Sequence, residues 1–276
     1  MAPGATRSRG PSTDTPLPDP SRQLSWRVLM DGPQSGPRNM AVDEALARGR
    51  GTGAAILRLY RWSHPTVSFG RNEPATGKYD EALAQQLGVR FVRRPTGGRA
   101  VLHHQELTYS VVVGVGAIGG LRETYNVINR ALQSALVATG ADVTLAPEGG
   151  AVPALNAGPC FDTPAAGEVI ADGRKLVGSA QVRIGKTILQ HGSIILAGNQ
   201  DVIARLGGSD QAQAPATLEA LLGATPDPAV LAQSVEAGFR RHFGGSWCKG
   251  ELKRDEHRLA DDLEDTYSSR EWTWRA

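Results

Sequence analysis

A turn signal between two runs of apolar alternation, Asp172-Gly173, constrains the fold more than any other feature of the chain. Asp-Gly between such runs is a strong local indication of a two-residue β-hairpin. The hairpin predicts two antiparallel strands, the first beginning near Glu168 and the second running on to Gln181. The fold therefore has to include a sheet with antiparallel neighbours.

The periodicity of apolar residues changes along the chain, from mostly strand-like in the middle to helical at the end. Alternation predicts strands over residues 56–60, 66–69, 89–93, 108–115 and 141–145, and one further strand, or a bulged one, over 186–196. Helical spacing predicts helices over 39–46 (with Asn39 as N-cap), 78–86, 124–138, 202–206, 218–222, 229–243 and 251–267. A strand-rich middle and a helical end indicate an α+β fold with a mixed or antiparallel sheet and flanking helices.

Composition indicates how the chain is divided into segments and which classes of protein it excludes. Residues 1–24 are rich in Pro, Ser and Gly, which predicts a disordered N-terminal tail, followed by one main domain over 25–248 and a helical extension over 249–276. The net charge of +2 does not produce a strong positive electrostatic potential that would attract nucleic acid. No apolar run reaches the roughly 18 residues of a membrane span. With no export signal and two distant cysteines, we expect a cytoplasmic protein with free thiols.

Cys160 and Lys175 are the first candidate pair. The hairpin turns back towards its own start, so a lysine on its second strand can lie beside a cysteine that precedes its first strand. An ammonium group stabilises the thiolate, which is the nucleophilic form of cysteine. Asp162 would oppose the thiolate, so a cation is needed nearby. The alternatives are a small buried cysteine and a solvated lysine.

The segment from Arg93 to His103 is the second candidate. Gly97 and Gly98 let the backbone approach a ligand and present N–H groups to it, while Arg94 and Arg99, with Arg93, offer charged fork-shaped donors. A tight turn between strands with solvated arginines is the alternative.

Three further positions could contact a ligand. Gly178 and Ser179 are small enough for a chain to pack closely against them. His191 could act as a base, or be a hydrogen-bonded structural histidine. His103 and His104 are adjacent and would face opposite sides of a strand, and no Cys/His cluster has zinc-site spacing, so no metal is expected.

Taken together, three segments resemble the superfamily of lipoate–protein ligases, octanoyltransferases and biotin–protein ligases. Arg93-Arg-Pro-Thr-Gly-Gly-Arg-Ala-Val-Leu-His103 resembles the family's acyl-binding signature, and Lys175-Leu-Val-Gly-Ser-Ala-Gln181 resembles its essential-lysine segment. Asn39-Met-Ala-Val-Asp-Glu44 is similar to its N-terminal helix. The resemblance covers about residues 26–245 and implies the catalytic-domain fold of biotin and lipoate ligases.

The position of the cysteine is similar to that in one branch of the family. Cys160 lies fifteen residues before Lys175, as in the cysteine-dependent octanoyltransferases typical of Gram-positive bacteria. That resemblance implies transfer of octanoate from octanoyl-acyl carrier protein to a lysine of a lipoyl-domain protein, such as the glycine cleavage H protein. His104 departs from the family pattern, which often has Asp there.

The resemblance also implies roles for the candidate residues. Cys160 would form an acyl thioester and Lys175 would lower its pKa, with no ATP, metal or redox cofactor. The substrate-binding set would be Arg93, Arg94, Gly97, Gly98, Arg99, His103, Gly178, Ser179 and His191. An ATP-dependent lipoate or octanoate ligase and a non-catalytic acyl-binding or carrier-binding module remain open. A nucleic-acid-binding regulator is disfavoured, since no helix-turn-helix precedes the domain.

Overall fold

A six-stranded mixed sheet forms the centre of the fold. The computed structural model describes residues 24–49, 54–147, 161, 164–209 and 213–275. Its strands are β1 (Ser25–Gln34), β2 (Ala54–Trp62), β3 (Thr66–Phe69), β4 (Arg90–Arg93), β5 (Val101–His103), β6 (Glu106–Gly114), β7 (Thr144–Leu145), β8 (Val169–Ala171), β9 (Arg174–Lys175), β10 (Val177–Ile184), β11 (Thr187–Ile195) and β12 (Ser246–Lys249).

Helices flank this sheet on both faces. They are α1 (Gly36–Gly49), α2 (Glu81–Gln86), α3 (Leu121–Val137), α4 (Asp201–Leu206), α5 (Leu218–Leu222), α6 (Pro228–Phe243), α7 (Arg254–Ser268) and α8 (Arg270–Thr273). The α+β fold with a mixed sheet and flanking helices is confirmed.

The strand order in the central sheet is β10-β11-β6-β2-β1-β12. The first four strands are mutually antiparallel, whereas β1 pairs in parallel with both β2 and β12. One face packs on α3 and α6 through apolar side chains such as Leu57, Val111 and Phe239. The other face packs on α1 and α7, through residues that include Ile56, Val112 and Leu189.

Two small sheets complete the fold. One has the order β4-β3-β5, and the other has the order β7-β8-β9. The hairpin predicted at Asp172-Gly173 is confirmed: it joins β8 to β9, with φ of 49° at Asp172 and 71° at Gly173. Its second strand ends at Lys175 instead of running on to Gln181, because β10 pairs with β11 in the central sheet. Positive φ at both central residues is what a type I′ turn requires, and Asp and Gly tolerate it better than most residues.

Most predicted elements are present, with local differences. The helix predicted from Asn39 begins at Gly36, so its N-cap assignment was wrong. Ser35 caps the helix instead, because its Oγ accepts a hydrogen bond from Arg38 N (3.2 Å) and its carbonyl accepts from Asn39 N (2.9 Å). The segment 186–196 forms one unbroken strand, β11. The sequence patterns did not predict β1, β5 or β12, which are ten, three and four residues long.

The proposed division of the chain stays a prediction. Most of the predicted tail, residues 1–23, lies outside the described residues. In the region expected to be an extension, α7 packs along α1, and Arg27 donates to Glu256 Oε1 at 2.5 Å. Within the part of the chain that the structure describes, no helix combines the length and apolar character needed to cross a membrane.

Candidate active site

Polar side chains line one end of the sheet face that packs on α1. Residues that face the same side alternate along each strand, and on this face β2 carries Ile56, then Arg58, then Tyr60. The partners of Arg58 and Tyr60 on β6 are Ser110 and Thr108. The residue pair beneath α1 is therefore apolar, and the next two pairs along β2 are polar.

The same rows continue across β11 and β10. Thr108 pairs with Ser193, which pairs with Gly178. Ser110 pairs with His191, which pairs with Ala180. Gly178 and His191, chosen from the sequence, are thus brought to neighbouring rows of one surface.

A buried ion pair supports this surface from α1. Asp43 Oδ1 lies 2.8 Å from Arg58 Nη1, and both side chains are fully buried. Tyr60 Oη donates to Asp43 Oδ2 (2.9 Å), and Arg58 Nη2 donates to Asn39 Oδ1 (2.9 Å). Burial favours the neutral acid, but hydrogen bonding from His191 and the charge of Arg58 hold the pKa of Asp43 below its ordinary value.

His191 connects this ion pair to the signature turn, the turn of residues 95–99 within the segment from Arg93 to His103. Its Nδ1 lies 2.9 Å from Asp43 Oδ2 and its Nε2 lies 2.7 Å from Thr96 Oγ1. Burial lowers the pKa of His191, so the ring is neutral near pH 7. Because a carboxylate accepts hydrogen bonds, Nδ1 carries the proton and Nε2 accepts from the Thr96 hydroxyl. His191 thereby holds the turn that contains Gly97 and Gly98.

Arg94 shapes the turn from inside. Its guanidinium donates to the carbonyls of Ser68 (2.9 Å), Gly97 (2.7 Å) and Arg99 (2.9 Å). The carbonyl of Gly98 would lie 1.8 Å from a Cβ placed on Gly70, so only glycine fits at position 70. The loop that follows β3 and the signature turn are therefore packed backbone to backbone.

A second polar cluster forms around His103. Its Nδ1 lies 2.8 Å from Glu106 Oε1, and its Nε2 lies 2.8 Å from Ser68 Oγ. Ser193 Oγ also donates to Glu106 Oε1, at 2.9 Å. The imidazole stacks on Trp62 with ring centroids 4.0 Å apart, which fixes the ring plane.

These groups surround a pocket that opens to solvent; the space between its lining atoms, including the solvent at its mouth, is about 450 Å³. Its floor is the central sheet, and its far wall comes from β3, β5 and the signature turn. The lining residues are Met40, Tyr60, Trp62, Ser68, Arg94, Gly98, Val101, His103, Thr108, Gly178, Ser179, Ala180, His191, Gly192 and Ser193.

Lys175 lies next to the Gly178 end of the pocket. The ammonium is buried and forms an ion pair with Glu168 Oε1 at 2.7 Å. It also lies 5.2 Å from the centre of the Phe161 ring. A Cβ placed on Gly178 would lie 2.9 Å from Phe161 Cζ and 3.2 Å from Lys175 Cε. Glycine at 178 therefore lets the lysine and the phenylalanine meet beside the pocket.

Six predicted substrate-binding residues line the pocket: Arg94, Gly98, His103, Gly178, Ser179 and His191. The Gly97 carbonyl accepts from Arg94, and Arg99 is buried, but neither lines the pocket.

Arg93 and Cys160 complete the predicted set of site residues. Arg93 does not line the pocket and donates to backbone carbonyls such as those of Gly70 and Thr273. Cys160 lies outside the described residues. The ligand-binding and catalytic roles of the whole set stay predictions.

Sequence reasoning assigned no site role to Asp43, Arg58, Tyr60, Trp62 or Glu168. One signal was available: Arg58 is the single charged residue between Ala54 and Tyr60, in a run that is otherwise apolar. Asp43 had no local signal, because its partners on β2 and β11 come from distant parts of the chain. Among the described residues, no group of three or more His, Cys, Asp or Glu side chains could hold a metal ion.

Comparisons with known proteins agree with this architecture. Two octanoyltransferases named LipM, from Kyrpidia tusciae and Symbiobacterium thermophilum, are each 38% identical to the chain. The alignments cover 91% and 92% of this chain and 99% of each relative.

Solved structures show the same fold. The Thermoplasma acidophilum protein Ta0514, described as a putative lipoate protein ligase with bound lipoic acid, superposes with a TM-score of 0.77 at 22% identity. That superposition covers 92% of this chain and all of the other. A lipoate-protein ligase A bound with ATP gives a TM-score of 0.76 at 22% identity, covering 91% of this chain and 99% of the other.

The family model of the lipoyl protein ligase A/B catalytic domain matches residues 35–239, which include α1, the signature turn, the hairpin and β11. The chain therefore belongs to the lipoyl protein ligase A/B catalytic-domain family.

Proposed function

We propose that this chain is an octanoyltransferase of protein lipoylation that works through a thioester on Cys160. The observation that carries the proposal is the burial of the Lys175 ammonium beside the pocket and against Phe161, the residue that follows Cys160 in the chain. Relatives named as octanoyltransferases support the reaction class.

The residues that line the pocket span a distance longer than the proposed acyl group. Three interstrand steps lead from Gly178 through Ser193 and Thr108 to Tyr60, a distance of about 14 Å at roughly 4.8 Å per step. An extended eight-carbon chain measures about 9 Å, because each bond of about 1.5 Å advances along a zigzag. An octanoyl chain that starts near Lys175 would therefore end well inside the pocket.

The first step of the proposed reaction is attack by the Cys160 thiolate on the thioester carbonyl of octanoyl-acyl carrier protein. The bond to the carrier's sulfur breaks, and that sulfur leaves as a thiol after taking up a proton. Lys175 favours the thiolate through its positive charge. Backbone N–H groups near Gly97, Gly98 or Lys175 stabilise the developing oxyanion.

The second step delivers the acyl group to the acceptor. The amine of a lysine on a lipoyl-domain protein, such as the glycine cleavage H protein, attacks the octanoyl-Cys160 thioester. An amide forms, the carbon–sulfur bond breaks, and the proton from the amine returns to the sulfur. The reaction exchanges a thioester for an amide, so it needs no ATP, and its two steps predict ping-pong kinetics.

Intact-mass measurement tests this proposal directly. The purified chain is mixed with octanoyl-acyl carrier protein without ATP or acceptor. We expect an octanoyl adduct that is absent in Cys160→Ser, retained in Cys248→Ser, and discharged when apo H protein is added. Modification that needs ATP and free acid, and survives Cys160→Ser, would instead identify a ligase. Bound octanoate without an adduct or turnover would identify a binding module.

A further inference from the structure

Glu168 is the partner of Lys175 at the base of the hairpin. It directly precedes β8, and the hairpin places Lys175 opposite Ile170 in the β8–β9 pair. The Glu168 and Lys175 side chains are only 3% and 2% exposed, and Oε1 lies 2.7 Å from Nζ. A buried carboxylate thus directly contacts the ammonium on which the proposed thiolate chemistry depends.

Other groups fix the Glu168 carboxylate in place. Ala165 N donates to Oε2 at 2.7 Å, and Tyr125 Oη donates to Oε1 at 3.3 Å. The Glu168 carbonyl accepts from Ala146 N at 2.8 Å, and its N–H donates to Ala165 O at 3.1 Å. Since both its backbone and its carboxylate are held, Glu168 can define where the Lys175 ammonium lies.

The charge of Lys175 needs such a partner. Burial disfavours a charged amine, and a buried lysine without a counter-charge loses its proton near neutral pH. A neutral amine would no longer stabilise a thiolate. The Phe161 ring, 5.2 Å from Nζ, adds attraction for the cation but carries no net charge.

We propose that Glu168 is a positioning residue for Lys175, which keeps the ammonium protonated and holds it beside the Gly178 end of the pocket, where the proposed thiolate chemistry needs its charge. This inference rests on the proposed function and extends it. Two tyrosines face the pair, Tyr125 from α3 and Tyr109 from β6. Burial raises the pKa of Tyr109 well above its ordinary value, so its phenol stays neutral over the pH range of the test.

The test compares three variants in a Cys248→Ser background, because Cys248 is exposed and would react with the same reagent. Glu168→Gln removes the charge and keeps the size, whereas Glu168→Asp keeps the charge. Glu236→Gln is the matched control, because Glu236 is a buried glutamate on α6 paired with Arg240 at 2.6 Å. Two quantities are measured from pH 5 to 10: kcat/KM for octanoyl transfer, and the rate at which iodoacetamide alkylates Cys160.

In Glu168→Gln we expect the alkaline limb of kcat/KM to move to lower pH by at least about one unit, because Lys175 deprotonates more easily. The alkylation profile should show a higher pKa for the Cys160 thiol. Glu168→Asp should restore most of both profiles, and Glu236→Gln should match the parent.

Two results would overturn the inference. One is a Glu168→Gln alkaline limb that superimposes on the parent limb. The other is a lowered thiol pKa in that variant, which would show that the carboxylate only opposes the thiolate. The alkylation profile needs no acyl donor, so it tests Glu168 even if the parent fails to form an octanoyl adduct. If Glu168→Gln does not fold, Glu168→Ala supplies the same comparison, because it also removes the carboxylate beside Lys175.

Discussion

At the scale of single residues, the site depends on one histidine held in its neutral form. His191 joins the carboxylate of Asp43 to the hydroxyl of Thr96, so it connects α1 to the signature turn. Protonation at Nε2 would replace an acceptor with a second donor facing Thr96, and it would place a charge in a buried site. Acid should therefore weaken the same contact that positions the turn.

The pKa of His191 predicts how stability depends on pH. Because its pKa in the folded protein is lowered from 6.5, the unfolded chain binds more protons as the pH falls below that value. The free energy of unfolding should decrease below about pH 6.5, with a slope of at most roughly 1.4 kcal/mol per pH unit from this group. The pKa of Asp43 is lowered from 3.8, so the stability it contributes is lost only in stronger acid.

Urea unfolding of His191→Asn between pH 5 and 7.5 checks this prediction. Asparagine can keep an N–H donor for Asp43 and does not titrate, so the slope near pH 6 should decrease. His64→Asn is the control, because His64 is exposed on the turn between β2 and β3. An unchanged slope in His191→Asn would show that His191 does not control the acid sensitivity.

The residue scale also shows what the sequence could predict about the site. Gly178 and His191 were predicted as ligand contacts because each lies in a short sequence motif, and both line the pocket. Asp43, Arg58 and His191 come from α1, β2 and β11, so their contact depends on the register of the folded sheet. Local patterns contain no information on that register, whereas the Asp172-Gly173 turn is local and was predicted correctly.

At the scale of elements, the end of the chain is tied to the strand that leads into the signature turn. Arg93, the last residue of β4, donates from Nη1 to the carbonyls of Gly70 and Glu73, both at 2.7 Å. Its other nitrogens donate to the carbonyls of Trp272, Thr273 and Arg275. Local spacing suggested a ligand-binding arginine, but it did not indicate this contact with residues about 180 positions later.

The geometry of Arg93 predicts that it stabilises the fold more than it binds substrate. In Arg93→Lys a compact ammonium cannot reach all of these carbonyls, so we expect a loss of roughly 3 kcal/mol in the free energy of unfolding. The KM for the octanoyl donor should change less than about twofold wherever the variant is folded. Denaturant unfolding and steady-state kinetics check the two expectations, with the exposed neighbour Arg90→Lys as the control. A raised KM with unchanged stability would restore the substrate-binding role.

At the scale of the whole molecule, the two faces of the central sheet differ, because only one of them carries the candidate site. The face on α3 and α6 is an apolar core, and the opposite face changes from an apolar region under α1 and α7 to the polar pocket. β10 forms one edge of this sheet, and β9 leads into it with Lys175. In the proposed reaction, a protein that delivers or receives the acyl group should therefore approach near this edge.

Charge near that edge predicts how protein substrates dock. Arg174 on β9 is half-buried and Arg183 on β10 is exposed, in a chain whose net charge is only +2. Acyl carrier and lipoyl-domain proteins of the proposed kind are acidic, so these arginines should attract them. Reversing both charges, with Arg174→Glu and Arg183→Glu, should raise the KM for each protein substrate about tenfold or more at low salt. The increase should shrink as salt screens the charges.

A small octanoyl thioester separates docking from chemistry in this prediction. It lacks a protein surface, so its KM and kcat should be the same in the parent and in the double variant. Reversal of the exposed Arg241 and Arg258, on α6 and α7, provides a control with the same change in net charge. If both double variants raise the KM equally, the attraction comes from the total charge of the molecule. If neither does, the carriers dock elsewhere, and the β10 edge serves only to hold Lys175 beside the pocket.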